Sequence, residues 1–213
     1  MPLCEKLAVF DLDGTISQTH LFSVPAHKQV MADMGYPVKT EDEIIRTYGM
    51  VQKDYLTALI GDYESEKAMT YIRRVAALEN EFILTRGKPY EGTAEMLRSL
   101  RADGIKTAIC SNASYRYISM VLAAYGLGDL IDFIQPVSTG LSKVDTLGIL
   151  IANSGARKTV MCGDTAFDMQ AAQGNGIPFV GCMYGFQPWQ LEKAAYKAEN
   201  MPQLCEIIKT ILN

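Results

Sequence analysis

The feature that most constrains this chain is a short stretch near its N-terminus, where an apolar run leads directly into two carboxylates, a glycine and a hydroxyl. Residues 7–10 read Leu-Ala-Val-Phe, and residues 11–15 read Asp-Leu-Asp-Gly-Thr. An unbroken apolar run predicts a strand buried on both faces, as in parallel sheets, and Gly14 allows a sharp turn after it. Buried Asp11 and Asp13 cost free energy unless a positive charge lies nearby. A hard divalent cation meets that need, because carboxylate and carbonyl oxygens are its preferred ligands.

Length and composition indicate one globular domain, with room for an inserted module. The 213 residues are 48% hydrophobic and 21% charged, with a formal net charge of −4. This balance argues against a nucleic-acid partner, and no apolar run reaches the length of a membrane span. Because an apolar strand is predicted almost at once, we expect no signal segment. The cysteines are widely spaced and form no Cys-x-x-Cys pair, which indicates reduced thiols in a cytoplasmic protein. They are Cys4, Cys110, Cys162, Cys182 and Cys205.

The pattern of apolar residues changes along the chain. From residue 16 to about residue 85 the periodicity is helical and predicts no strand. Residues 86–213 instead alternate predicted helices with short apolar strands, which is typical of a parallel sheet with right-handed crossovers. We therefore expect an α/β core of residues 1–15 and 86–213, built on a doubly wound parallel sheet. Residues 16–85 are expected to form an all-helical insert.

The predicted strands of the core are short and mostly apolar. They cover Lys6–Phe10, Ile105–Cys110, Ile131–Ile134, Thr159–Cys162 and Ile177–Gly181. Among the predicted helices, one in the insert is expected to begin near Pro25 and to end near Met34. Another is expected over Pro188–Ala198, because proline is favoured at the first position of a helix.

Polar side chains follow several of the predicted core strands, and one lysine lies just inside a helix between two of them. In open parallel sheets, ligands bind at the carboxyl ends of the strands, near the switch in strand order. We therefore expect these residues to converge on one site although they are far apart in sequence. They are Asp11, Asp13, Ser111, Asn112, Lys143, Asp164 and Asp168.

The charges of these residues suit phosphoryl transfer, which needs a nucleophile, cancellation of negative charge and a proton for the leaving group. Asp11 is the candidate nucleophile, because a carboxylate can form an aspartyl-phosphate. Asp13 is placed to protonate the leaving oxygen and later to deprotonate a water. Lys143 supplies a fixed positive charge, both for catalysis and for holding the phosphate.

The phosphate would be held by backbone and hydroxyl donors around the same point. Gly14 and Thr15 offer backbone donors. Ser111 and Asn112, with the amides that open the following helix, are expected to hold another phosphate oxygen.

The divalent cation is expected to be Mg²⁺. Asp164 would join Asp11 and the backbone carbonyl of Asp13 around it. Asp168 would orient either the lysine or the waters on the metal.

These residues, in this order, resemble the motifs of the haloacid-dehalogenase-like (HAD) hydrolase superfamily. The matching segments are Asp11-Leu-Asp-Gly-Thr15, Ser111-Asn112, Lys143 and Gly163-Asp-Thr-Ala-Phe-Asp168. The helical insert resembles the small helical cap of that superfamily. The segment Gly181-Cys-Met-Tyr-Gly-Phe186 resembles the glycine-aromatic segment of the phosphoglycolate-phosphatase-like branch. The resemblance covers essentially the whole chain and implies a Rossmann-like core.

The resemblance also implies a reaction type. Dehalogenases of the superfamily lack an acid at the position of Asp13, whereas the phosphatases have one, so hydrolysis of a phosphate ester is expected. The implied substrate is a small phosphorylated metabolite such as phosphoglycolate, with nucleotides, sugar phosphates or pyrophosphate as alternatives. Many relatives carry a lysine shortly after the motif serine, where this chain has Ala113 and Ser114. No arginine lies near Gly140-Leu-Ser142, where the hexose-phosphate mutases usually place one.

Two alternatives remain open at the level of sequence. Cys110-Ser-Asn-Ala-Ser-Tyr-Arg116 matches the Cys-x5-Arg phosphate cradle of enzymes in which the cysteine is the nucleophile. Ile109 stands where those enzymes usually have histidine, and the loop has no glycine. The chain could also be a non-catalytic or regulatory protein that kept the fold. The sequence does not predict the oligomeric state.

Overall fold

A parallel sheet of six strands joins the N-terminal strand to the C-terminal part of the chain. It is seen in a computed structural model that describes residues 5–136 and 140–213. The strands are β1 (Lys6–Phe10), β2 (Lys106–Ser111), β3 (Phe133–Pro136), β4 (Lys158–Gly163), β5 (Phe179–Cys182) and β6 (Tyr196–Ala198). Their order is β3-β2-β1-β4-β5-β6, and every pairing is parallel.

The helices of the described residues are α1 (His20–Asp33), α2 (Glu41–Ile45), α3 (Gln52–Ile60), α4 (Glu66–Arg86), α5 (Thr93–Ala102), α6 (Tyr115–Ala124), α7 (Lys143–Ser154), α8 (Ala166–Gly174) and α9 (Met201–Leu212). None of them combines the length and apolar character that crossing a bilayer requires. Helices α5 and α9 pack together beside the sheet, and α7 and α8 form a second packed pair. The predicted doubly wound α/β fold is confirmed.

Strand order explains why β1 is the centre of the fold. The chain adds β2 and β3 on one side of β1, and β4, β5 and β6 on the other. All residues of β1 from Leu7 to Phe10 are fully buried, as the unbroken apolar run predicts. The strand order therefore reverses between β1 and β4, and the crevice beyond their carboxyl ends is the expected place for a ligand.

The described chain divides into two compact units. One comprises the chain through Ser17 together with Pro89–Asn213, and contains the sheet and α5–α9. The other is Gln18–Lys88, which consists of α1–α4. This helical unit has its own apolar core, to which all four helices contribute. Its buried members are Val24, Val30, Met31, Ile44, Leu56, Leu59, Tyr71 and Val75.

Two helix predictions are wrong. Helix α1 begins at His20, so that Pro25 lies inside it. Burial of Phe22 and Val24 stabilises the turn before the proline, which offsets the hydrogen bond that the proline cannot donate. The predicted helix over Pro188–Ala198 is instead a 3-10 turn over Pro188–Leu191 followed by β6.

Candidate active site

Asp11 is the first residue beyond β1 and is fixed by the neighbouring strand. Its backbone amide donates a hydrogen bond of 2.9 Å to the carbonyl oxygen of Cys162 in β4. The side chain is 8% exposed. The pairing of β1 with β4 thus holds this carboxylate at the point where the strand order reverses.

Lys143 reaches the same point from α7. It is the first residue of that helix, whose N-terminus is closed by a capping box between Ser142 and Asp145. Its ammonium Nζ lies 2.5 Å from Oδ1 of Asp11 and 2.5 Å from Oδ1 of Asp168. Because the Lys143 side chain is 8% exposed and Asp168 is fully buried, solvent screens this arrangement weakly. One buried cation therefore links two carboxylates from different parts of the sequence.

Asp168 is fixed by the start of α8. Its Oδ2 accepts hydrogen bonds from the backbone amide of Thr165 at 3.0 Å and from the Thr165 hydroxyl at 2.8 Å. The other oxygen faces Lys143. A side chain on Gly163 would overlap Asp168, so the glycine that ends β4 leaves room for this carboxylate.

Asp164 lies one residue beyond β4 and is fully buried. Its Oδ1 accepts a hydrogen bond of 3.3 Å from the hydroxyl of Thr15, and its Oδ2 accepts one of 2.8 Å from the amide of Phe186. Gly14 has a φ of +84°, and a Cβ there would overlap the Asp164 carboxylate. The glycine of the Asp-Leu-Asp-Gly-Thr stretch therefore serves the turn and also the close approach of Asp164.

Burial dominates the electrostatics of these groups. It raises the pKa of Asp11 to about 7, an effect that Lys143 opposes and that Asp168 and Asp13 reinforce. It also raises the pKa of Asp164 well above its usual value, with further contributions from Asp11 and Asp168. Burial disfavours the charged form of Lys143, but Asp11 and Asp168 beside it raise its pKa above the usual value. The lysine is therefore a fixed cation, whereas the carboxylates need more positive charge than it supplies.

A metal ion could meet that need. Asp11, Asp164 and Asp168 can each place one carboxylate oxygen so that the three oxygens lie within 4.8 Å of one another. Such hard, buried oxygen donors suit Mg²⁺. Both oxygens of Asp168 are engaged, one with Lys143 and the other with Thr165, whereas Asp11 contacts Lys143 through Oδ1. The structure thus offers a carboxylate set that fits a divalent cation.

The remaining predicted residues follow β1 and β2, which are neighbouring strands of the α/β unit. Asp13 is half-buried, and its Oδ1 accepts a hydrogen bond of 3.0 Å from the hydroxyl of Tyr117 in α6. Ser111 is buried at the end of β2, and its hydroxyl accepts a 3.1 Å hydrogen bond from the amide of Ala113. Asn112 follows in the same loop and is half-buried. The side chain of Asp13 does not belong to the carboxylate group within 4.8 Å that the described residues form.

Two contacts of the site were not among the predicted ones. The amide of Phe186 binds Asp164, and Phe186 stands in the glycine-aromatic segment that carries part of the resemblance. The hydroxyl of Tyr117 binds Asp13, and no pattern in the sequence indicates that contact. Each of these donors binds a different carboxylate, and both carboxylates were predicted site residues.

Cys110 lacks the properties of a nucleophile. The side chain is fully buried and packs in the core with Val9 and Ala108. Burial raises the pKa of its thiol to about 12, whereas reactive cysteines have a lowered pKa and partial exposure. Arg116, the other end of the Cys-x5-Arg pattern, is exposed. The structure favours a packing role for Cys110.

Comparison with known proteins agrees with this geometry. Residues 8–182 match the family model of the haloacid dehalogenase-like hydrolases. The chain is 26% identical to the probable phosphatase IndB of Dickeya dadantii, over 90% of this chain and 86% of that protein. It is 27% identical to the phosphoglycolate phosphatase of Thiobacillus denitrificans, over 87% of this chain and 86% of that protein.

The fold has close structural counterparts as well. The crystal structure of a predicted phosphoglycolate phosphatase from Haemophilus somnus superimposes with a TM-score of 0.86, at 19% identity, over 97% of this chain and 99% of that one. At this identity the likeness shows the fold alone, and it is the same fold. The family model covers most of the chain, and the resemblance drawn from the motifs is confirmed. The chain belongs to the haloacid dehalogenase-like hydrolases, and within that family it resembles the phosphoglycolate-phosphatase-like branch.

Proposed function

We propose that this phosphatase is Mg²⁺-dependent and hydrolyses the phosphate ester of a small metabolite through an aspartyl-phosphate on Asp11. The observation that carries the proposal is the buried ion pair of Asp11 with Lys143, next to Asp164. A carboxylate at the end of a buried strand can act as a nucleophile when the charges beside it favour its ionised form, and Lys143 and the proposed Mg²⁺ would do so together.

The first half of the reaction transfers the phosphoryl group. A carboxylate oxygen of Asp11 attacks phosphorus, so that a bond from Asp11 to phosphorus forms while the bond from phosphorus to the ester oxygen breaks. Asp13 donates its proton to that departing oxygen, which leaves as an alcohol. Lys143 offsets negative charge at the attacking carboxylate.

The second half returns the enzyme to its starting state. Asp13, now ionised, takes a proton from a water molecule, and the water oxygen attacks the phosphorus of the aspartyl-phosphate. The bond between Asp11 and phosphorus breaks and inorganic phosphate leaves. One carboxylate thus serves as acid and then as base, and no proton is gained or lost by the enzyme over the cycle.

The phosphate would be held by donors from two loops. Backbone groups of Gly14 and Thr15 supply one set, and Ser111 and Asn112, with the amides before α6, supply the other. Mg²⁺ would be held by Asp11, Asp164 and the carbonyl of Asp13, and when bound it cancels negative charge on the phosphoryl oxygens.

The relatives support the proposed substrate class. A relative from Thiobacillus denitrificans is named a phosphoglycolate phosphatase, which supports a small phosphorylated acid for this chain. Nucleotides, sugar phosphates and pyrophosphate are the other classes to test. Residues 16–85 are proposed to act as the cap that sets this choice. The described cysteines are free and buried, which supports a reducing compartment such as the cytoplasm.

The test is a phosphatase screen with Mg²⁺ over phosphoglycolate, glycerol phosphate, sugar phosphates, nucleotides and pyrophosphate. We expect hydrolysis that EDTA abolishes, that Asp11→Asn reduces to the blank, and that Cys110→Ser largely retains. Activity that survives Asp11→Asn would exclude the aspartyl-phosphate. Loss with Cys110→Ser, together with indifference to EDTA, would favour the cysteine mechanism. Failure to hydrolyse any of these compounds would favour a regulatory protein.

A further inference from the structure

Tyr117 joins the candidate site from a part of the sequence that carries no motif. It is the third residue of α6, which begins after the loop containing Ser111 and is capped by Ser114. Its hydroxyl donates a hydrogen bond of 3.0 Å to Oδ1 of Asp13, across 104 residues of sequence. Both side chains are half-buried. A hydrogen bond over this sequence separation fixes the loop after β1 to the start of α6.

We propose that Tyr117 is the positioning residue for Asp13, the acid-base group of the proposed function, on which this inference rests. An acid-base carboxylate must lie within hydrogen-bond reach of the oxygen that it protonates. Asp13 stands in a turn beside Gly14, and the tyrosine hydroxyl contacts one of its two carboxylate oxygens. A donor on Oδ1 favours one orientation of the carboxylate, and in the proposed reaction the proton is exchanged at Oδ2.

The chemistry of the contact suits both halves of the reaction. When Asp13 is ionised, Oδ1 is a carboxylate oxygen and accepts from the tyrosine hydroxyl. When Asp13 carries its proton on Oδ2, Oδ1 is the carbonyl oxygen of the acid and still accepts. Tyr117 can therefore keep the same hydrogen bond while the proton moves on and off the other oxygen.

Comparing kcat/KM for esters with different leaving groups distinguishes a positioning role from a merely structural one. An alkyl phosphate has a poor leaving group and depends on protonation by Asp13, whereas p-nitrophenyl phosphate has a good one and depends on it little. The value of kcat/KM reports the steps up to release of the alcohol. It therefore isolates the step in which Asp13 acts as an acid.

The experiment compares Tyr117→Phe with wild type on p-nitrophenyl phosphate and on the fastest alkyl ester of the screen. Removal of the hydroxyl keeps the ring and its packing. General acid catalysis contributes about 100- to 10,000-fold, and misorientation forfeits part of it, so we expect kcat/KM for the alkyl ester to fall about tenfold or more. The aryl ester should change by less than about threefold. Tyr115→Phe, in the same helix with its side chain 59% exposed, is the matched control and should change neither value.

Asp13→Asn separates failure of this inference from failure of the proposed function. Asp13→Asn should lower kcat/KM for the alkyl ester more than for the aryl ester, and by more than Tyr117→Phe does. Adding Tyr117→Phe to Asp13→Asn should not lower kcat/KM further, because Tyr117 acts only through Asp13. If Asp13→Asn slows both esters equally, the acid-base role itself is wrong. Suppose instead that Asp13→Asn slows the alkyl ester more than the aryl ester. The positioning role of Tyr117 is then wrong if Tyr117→Phe has no effect or slows both esters equally. It is also wrong if Tyr117→Phe adds a further loss to Asp13→Asn.

Discussion

Two aspartates occupy equivalent positions in neighbouring helices, and comparing them isolates what the buried ion pair contributes to stability. Asp145 in α7 and Asp168 in α8 each accept hydrogen bonds from the residue that caps the helix. Asp145 is exposed, whereas Asp168 is fully buried and also pairs with Lys143. The substitutions Asp168→Asn and Asp145→Asn therefore make the same chemical change at the same helical position, with and without a buried cation.

The expected magnitude follows from the contact between Lys143 and Asp168. At the observed 2.5 Å, an effective dielectric constant of about 20 gives an attraction of about 7 kcal/mol, most of which is offset by desolvation. Removing one partner of a buried pair costs about 3–5 kcal/mol. Asparagine can still accept hydrogen bonds from Thr165, and Lys143 retains its contact with Asp11. We therefore expect a loss of stability at the lower end of this range, about 3 kcal/mol. For a chain of this size that loss lowers Tm by about 6–12 °C.

The assay is thermal unfolding in EDTA, followed by tryptophan fluorescence. The sequence has one tryptophan, Trp189, and it lies in the α/β unit, so the signal reports the unit that contains the ion pair. Asp145→Asn should lower Tm much less than Asp168→Asn. Equal shifts for the two variants, or a shift below about 2 °C for Asp168→Asn, would show that the ion pair does not stabilise the fold.

A double-mutant cycle tests the cause. In a Lys143→Met background, the Asp168 carboxylate is buried without that cation. Replacing it with a neutral amide should then be neutral or stabilising. A coupling of about 3 kcal/mol between the two positions is expected. If Asp168→Asn costs the same in both backgrounds, its effect comes from the helix cap and not from Lys143.

Mg²⁺ at about 100 times its dissociation constant should stabilise the α/β unit by about 2.7 kcal/mol, which the same fluorescence melt detects as a higher Tm. Asp164→Asn should lose this shift, and an unchanged shift would exclude Asp164 as a ligand. In the helical unit, burial lowers the pKa of His27 to about 4, so the folded state keeps this imidazole neutral while the unfolded chain protonates it. Stability should fall by up to about 3 kcal/mol between pH 6.5 and pH 4, and urea unfolding of His27→Gln, which keeps His20, should show a shallower dependence on pH.

The sequence predicted the elements that local pattern determines. The run from Leu7 to Phe10 has the apolar character of a strand buried on both faces, and β1 is that strand. Strand alternation and the rule that parallel strands present their carboxyl ends together predicted that Asp11, Lys143 and Asp164 would converge. The structure brings these three together with Asp168. The predicted catalytic and metal-binding roles remain proposals.

Residues 188–198 show where local pattern fails. The segment has the composition of a helix, but Val180 to Cys182 of β5 pair with residues 196–198. Pairing with the edge of the sheet, together with burial of Ala198, outweighs the helical propensity of a short segment. Such an effect depends on which sheet edge lies nearby, and a single sequence does not encode that in its periodicity.

The contact of Tyr117 with Asp13 is beyond sequence reasoning for a different reason. The two residues are 104 positions apart, and each has an ordinary local explanation, one as a residue of the first turn of α6 and the other as part of a motif. Only the order of the strands brings α6 beside the loop after β1. Side-chain contacts between loops that follow neighbouring strands are therefore set by topology.

Charge balance connects the fold to the proposed chemistry. The cluster holds three carboxylates, Asp11, Asp164 and Asp168, against the ammonium of Lys143, an excess of two negative charges when all are ionised. A phosphate monoester brings up to two more, so its binding beside Asp11 is opposed unless positive charge is added. The pKa values of Asp11 and Asp164 are raised in the same surroundings. Protonation of a carboxylate, like binding of a cation, reduces the excess negative charge. A divalent cation supplies two positive charges, so ionisation of the nucleophile and binding of the substrate should depend on the same ion.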